Sequence, residues 1–202
     1  GLGDVYKRQV VLAPQTRDII RIKNYNAADG LQGNEFNTHA YYRTRSGEMY
    51  FGGVNGFTWF HPDSVRENQH MPPVVITNIE THSSGDAEEK HDFRQQPRIG
   101  EELTLPYMQN VVTFELAALD YSNPAKNLYS YKLENLHEDW SLPSTDRRVT
   151  FAGLSPGNYV FRVRGSNNDG LWNEEGTSVE IVILPPWWRT SLAYALYVAS
   201  LL

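Results

Sequence analysis

The 202-residue sequence contains no cysteine, which excludes disulfides, thiolate metal sites and cysteine nucleophiles together. Basic residues are not in surplus either. With 18 Lys and Arg against 24 Asp and Glu the formal net charge is −6, so nothing electrostatic points to a nucleic-acid partner. The first residues, GLGDVYKRQ, lack the apolar stretch of a signal peptide and begin on Gly rather than Met. Neither a phosphate-binding Gly-rich loop nor an HExxH pair occurs.

Aromatics and turn residues are plentiful: 12 Tyr, 8 Phe, 5 Trp, 15 Gly and 11 Pro, within a chain that is 40% hydrophobic and 21% charged. This is a globular composition, and the length allows one large domain or two small ones. Residues 10–66 alternate short apolar runs with turn signals: RDIIRIKNY, THAYYRTR, Ser46-Gly47, EMYFGG, Asn55-Gly56 and FTWF. Asn55-Gly56 reads as a tight hairpin turn, because both residue types tolerate positive φ. Gly52-Gly53 permit a close backbone approach, as between neighbouring blades. The set from Tyr25 to Pro62 has the roughly 40-residue period of a four-stranded propeller blade.

That stretch resembles the last blade of the two-component-regulator propeller. Asp29, Gly30, Leu31, Gly47, Phe51, Gly52, Gly53, Asn55, Gly56 and Phe57 stand at the places of that family's repeat. A linker, RENQHMPP, follows. Seven candidate strands come next: VVITNIET, EELTL, NVVTFELAAL, LYSYKLEN, RRVTFAG, YVFRVRGSN and SVEIVIL. Tyr129, Tyr131 and Leu133 share a face, as do Tyr159, Phe161 and Val163. Seven short strands in this length argue for an immunoglobulin-like sandwich. LSPGNY, from Leu154 to Tyr159, reads as a tyrosine corner in which the phenol hydroxyl bonds back to upstream backbone.

The second half resembles the three-tyrosine (Y_Y_Y) domain that follows this propeller in bacterial sensors. The matching positions are Tyr129, Tyr131, Leu133, Trp140, Leu154, Pro156, Gly157, Tyr159, Val163, Gly170 and Trp172, with Phe151 where the family commonly has Tyr. The fold class expected is all-β: a terminal propeller blade (10–66), a linker (67–73), an immunoglobulin- or fibronectin-like sandwich (74–185), then the start of a transmembrane helix (187–202). Residues 1–9 are read as a sequencing-adapter remnant and the last helix as cut short. For that helix, Trp187, Trp188 and Arg189 are the expected membrane-interface residues, ahead of the uncharged run TSLAYALYVASLL.

No catalytic residue, metal or cofactor is expected. His39, His61, His70, His82, His91 and His137 lack zinc-site spacing. Glu88-Glu89, Glu101-Glu102 and Glu174-Glu175 are adjacent pairs, which on a strand point to opposite faces. Tyr41, Tyr42, Tyr50, Phe51, Trp59 and Phe60 are read mainly as packing residues, with Tyr41, Tyr42 and Trp59 the candidates for stacking on a ligand. Trp140 and Trp172 are expected to plug the sandwich ends or meet a neighbouring subunit. The resemblance implies a periplasmic segment of an inner-membrane sensor histidine kinase, dimeric, with a glycan ligand bound through upstream blades and no nucleic acid contacted. The alternative is a spacer or carbohydrate-binding module of a surface-anchored glycan-processing protein.

Overall fold

The computed structural model describes residues 8–12, 19–83 and 102–200, with side chains from Tyr25 onward, Leu192 excepted. Most of the stretch read as an adapter remnant, His91, Glu88-Glu89 and Glu101 lie outside the described residues. The chain divides into two compact units, Gly1–Glu67 and Asn68–Leu202.

In the first unit β1 (Arg8–Leu12) pairs antiparallel with β2 (Ile19–Asn24), Val10 facing Ile22. A 3-10 turn, Ala27–Asp29, follows, capped reciprocally by Asn26 and Asp29 and closed by Gly30 at φ 93°. A separate antiparallel meander contains β3 (Tyr41–Arg43), β4 (Met49–Gly53) and β5 (Gly56–Phe60). Among the described residues this sheet has three strands rather than the four of the expected blade, because residues 25–40 run as a loop. Gln32 fixes that loop: its backbone N–H donates to Thr58 Oγ1 at 2.9 Å, and its Oε1 accepts from the Asn55 N–H at 3.0 Å.

Two expectations shift here. The two-residue hairpin loop is Val54-Asn55, since Gly53 pairs with Gly56, and the positive φ of 123° falls on Gly56 alone. The close approach at Gly53 is made inside the unit, where a Cβ would lie 2.7 Å from the Glu35 carbonyl.

The second unit is a sandwich. Its strands are β6 (Val74–His82), β7 (Leu103–Leu105), β8 (Val111–Ala118), β9 (Tyr129–Glu134), β10 (Arg148–Phe151), β11 (Gly157–Ser166) and β12 (Trp172–Ile183). One sheet has the order β10-β8-β6, the other β7-β12-β11-β9, and the β7–β12 pair alone among these is parallel. This is the immunoglobulin-like arrangement of two sheets with crossed-over connections. Alternation puts Val112, Phe114 and Leu116 of one sheet against Tyr159, Phe161, Val163, Val179, Ile181 and Ile183 of the other, all buried in one core. Phe114 and Phe161 stack across the gap, centroids 3.9 Å apart and 6° from parallel.

Alternation in β6 skips a residue because the register shifts between Ile76 and Asn78, so that Ile76 and Ile79 both face inward. β12 begins six residues before the run read from sequence. Its first half, Trp172–Thr177, is polar and contains Gly176 at φ 59°, which resembles a turn in sequence but pairs with β11 through an irregular register at Val163–Gly165. Beyond Pro186 a 3-10 turn, Trp187–Arg189, leads into α1 (Ser191–Ser200).

Candidate functional site

In the first unit, cross-strand register aligns Tyr42, Tyr50 and Trp59, and Phe57 lies on the same face two residues before Trp59. Tyr50 stacks on Trp59 at 6.2 Å and leans on Phe57 at 6.1 Å. The opposite face carries Tyr41, Phe51 and Phe60, with Phe51 and Phe60 stacked at 5.9 Å. Tyr41, Tyr42, Phe57 and Trp59 are all more than half exposed, and no residue of these three strands is fully buried. Of the candidate ligand-stacking residues, Tyr42 and Trp59 therefore share a face and Tyr41 is on the other.

In the sandwich the three tyrosines do different work. Tyr129 is buried, and its hydroxyl accepts the Ala118 N–H at 3.1 Å, tying β9 to the end of β8. Tyr131 meets Phe151 edge-on at 6.2 Å. Tyr159 donates its hydroxyl hydrogen to the Ser155 carbonyl at 2.9 Å, forming the corner that Pro156 and Gly157 turn. Leu154 is buried and its N–H bonds to Asn110 O at 3.0 Å. Gly153-Leu154-Ser155-Pro156-Gly157 has the spacing of a GxSxG nucleophile elbow, which the reading of the sequence missed. The run joins strand to strand rather than strand to helix, so it lacks the elbow's geometry. Tyr159→Phe should cost about 0.5–1.5 kcal/mol, the worth of one hydrogen bond with ring burial kept. Unchanged stability in urea unfolding would show that the hydroxyl does not pin the corner.

Trp140 and Trp172 do not plug the ends of the sandwich. They stack on the solvent side of the β9-β11-β12 sheet, where the Arg164 guanidinium lies 4.4 Å from the Trp140 ring centre and 5.5 Å from that of Trp172. Lys132 approaches Trp140 at 5.4 Å, and Arg164 pairs with Glu174 at 2.5 Å. Each cation–π contact is worth about 0.5–2 kcal/mol, the larger value where water is excluded. Glu134 closes the row: its hydrogen bond from Lys132, then the charge of Arg162, hold its carboxyl below its ordinary value.

A second polar feature holds the segment that enters the sandwich, residues 68–73. Asn167 is 1% exposed, and its amide donates to Asn68 O at 2.8 Å and His70 O at 2.9 Å. Its Oδ1 accepts from the N–H groups of Asp169, at 2.9 Å, and Leu171, at 3.0 Å. Asn68 donates its side-chain amide to Asp120 and Asn168, and its backbone N–H to Asp169 at 2.7 Å. Asn173 Nδ2 bonds Pro72 O at 3.0 Å and Thr177 Oγ1 bonds Val74 O at 2.5 Å, so the segment is sewn along the β11–β12 hairpin. The sequence reading missed Asn68 and Asn167. The available signal was the Asn-Asn-Asp-Gly run, whose Gly170 adopts φ 80° at the hairpin tip.

At the other end Trp187 is 71% and Trp188 40% exposed, Arg189 is exposed, and Trp188 meets Tyr107 edge-on at 5.3 Å. Along α1 Tyr194, Leu196, Tyr197 and Val198 are exposed while Ala193 is buried. Among the described residues no helix is long and apolar enough to cross a membrane. Nor, among them, do three His, Asp or Glu side chains converge on a possible metal position.

Residues 120–184 match the family model of the Y_Y_Y domain. Histidine kinase P4 of Formosa agariphila is 30% identical over 175 residues, which cover 86% of this chain and 13% of that protein. The crystal structure of the extracellular domain of BT3049 from B. thetaiotaomicron, described as a hybrid two-component system, superimposes with a TM-score of 0.70 at 29% identity. That match covers 81% of this chain and 22% of the other. The extracellular domain of BT4673 from the same organism matches at TM-score 0.50 and 26% identity, over 92% of this chain and 23% of that one. The chain thus spans less than a quarter of each of these relatives. The second half of the sandwich, residues 120–184, thus matches the Y_Y_Y domain, in a chain that resembles the extracellular sensor region of hybrid two-component systems.

Proposed function

We propose that this chain is the part of an extracytoplasmic sensor that hands a ligand signal to the membrane. In this reading β3–β5 belong to the last blade of a propeller that binds the signal, an oligosaccharide by analogy, with further blades supplied by the parent protein. The Y_Y_Y sandwich receives the signal and passes it to a transmembrane helix beginning near Trp187, and so to a cytoplasmic histidine kinase. The segment would then lie in the periplasm of an inner-membrane protein, working as a homodimer.

The observation that carries this reading is the match to the extracellular domain of BT3049 over 81% of the chain. The exposed faces of the β3–β5 meander support it, since a three-stranded sheet with aromatics on both sides needs neighbours to cover them. Signal passage requires the ligand to favour one of two arrangements of the sensor, because equal affinity for both shifts nothing.

The parent locus provides the test. Sequence read in both directions should give repeats of about 40 residues upstream. Downstream it should continue the apolar helix and then encode a histidine kinase region. A stop soon after Leu202, or a catalytic domain upstream, would replace the sensor by an anchored accessory module.

A further inference from the structure

The β7–β8 turn lies beside the beginning of the C-terminal helix, at the end of the sandwich where β12 leaves it. Leu184 N–H bonds to Leu105 O at 2.8 Å, and Tyr107 and Trp188 meet edge-on at 5.3 Å. Met108, at the tip of the turn, is 54% exposed, and Leu184 is 46% exposed. No charged residue occurs from Leu103 through Phe114 or from Ile181 through Trp188. The patch of Met108, Tyr107, Leu184, Trp187 and Trp188 is thus uncharged, and one exposed cation, Arg189, separates it from a helix whose exposed side chains between Ser191 and Ser200 are Tyr and aliphatic. The neighbouring Asn135–Asp139 turn at this end carries Glu138 and Asp139 and does not belong to the patch.

We infer that the turn Pro106–Met108 rests in the lipid headgroup layer beside Trp187 and Trp188, so that the sandwich is seated on the bilayer by a second contact besides its helix. This rests on reading α1 as the start of a membrane helix. Aromatic rings with an apolar body and a polar tip partition to that layer, and Met and Leu add apolar area beneath them. With a single helix, only the Pro185-Pro186 junction and the Tyr107–Trp188 contact would set the tilt of the sandwich. Two contacts separated in sequence fix its tilt, so that a rotation of the sandwich must also move the helix.

The absence of cysteine makes the test clean, because any introduced thiol is unique. The full chain is prepared as Met108→Cys, Val198→Cys and Tyr121→Cys, each labelled with an environment-sensitive fluorophore and mixed with phosphatidylcholine vesicles with and without spin-labelled lipid. All three positions are at least half exposed, so the labels replace no core contact. Tyr121 lies past the far end of β8, about 25 Å away. The expected result is blue-shifted emission, quenched by spin-labelled lipid, at positions 198 and 108 and neither change at 121. Quenching at 108 should be strongest for labels about 5–10 Å deep. Quenching at 198 without any at 108 overturns the seated turn and leaves the membrane helix standing. A blue shift at 108 that spin-labelled lipid does not quench means burial against protein, which also overturns it. No quenching at either position removes the membrane reading and this inference with it.

Discussion

Replacing Phe161 by alanine should destabilise the sandwich by about 3–5 kcal/mol, the range for deleting a large aromatic from a packed core. Phe161 is 0% exposed and lies flat on Phe114 at 3.9 Å, which joins β11 in one sheet to β8 in the other. It also meets Phe151 edge-on at 5.8 Å and Tyr131 at 6.2 Å, so one truncation loosens three neighbouring rings. The surrounding strands cannot collapse into the space without breaking the β11–β12 and β9–β11 registers on either side. Urea unfolding of the intact chain followed by circular dichroism measures the loss. A cost under about 1 kcal/mol would mean that the two sheets are not held at this stack.

Asn167→Ala should cost about 2–4 kcal/mol, because one buried side chain satisfies four backbone groups and alanine leaves each without its partner. Its amide holds Asn68 O and His70 O, while its carbonyl oxygen holds the N–H groups of Asp169 and Leu171. The effect should also be local. In hydrogen exchange, amides of the incoming segment, residues 68–73, and of the hairpin tip should lose protection, while those of Val112 and Phe161 change only by the global loss. Asn68→Ala removes donors to Asp120 and Asn168 in the same cluster, so the double variant should cost less than the sum of the two. Additive losses, or exchange unchanged at 68–73, would show that the incoming segment is held by something other than this cluster.

Much of the sandwich was legible because its strands obey a local rule. Tyr159, Phe161 and Val163, placed on one face by alternation, are all buried in the core, and the pattern of period two is enough to place them. The tyrosine corner was legible for a similar reason: Pro156 and Gly157 turn the chain and Tyr159 follows at fixed spacing. Legibility ended where the determining partner is distant or the backbone irregular. The bonds that Asn167, Asn173 and Thr177 make to the incoming segment span about a hundred residues of sequence, and no local pattern announces them. The places of Trp140 and Trp172 depend on Arg164, which reaches them only after β9, β11 and β12 have paired. In β12 the polar residues around Gly176 resemble a turn, and only pairing with β11 reveals them as strand. The hairpin between β4 and β5 turned one residue earlier than Asn55-Gly56 suggested, since a single positive φ at Gly56 was enough.

The seam along β12 has a mechanical consequence. Asn173 and Thr177 grip the chain as it arrives, and Ile183, on the same strand, is where it departs toward Pro185-Pro186. Load applied at Asn68 therefore has a route into β12 through these side bonds, beside the covalent route into β6. β12 is flanked by β11 on one side and β7 on the other, so stretching it would shear two ladders of hydrogen bonds at once. It behaves as a tie rod: stiff along its length, with the packed aromatic layer beneath it as ballast.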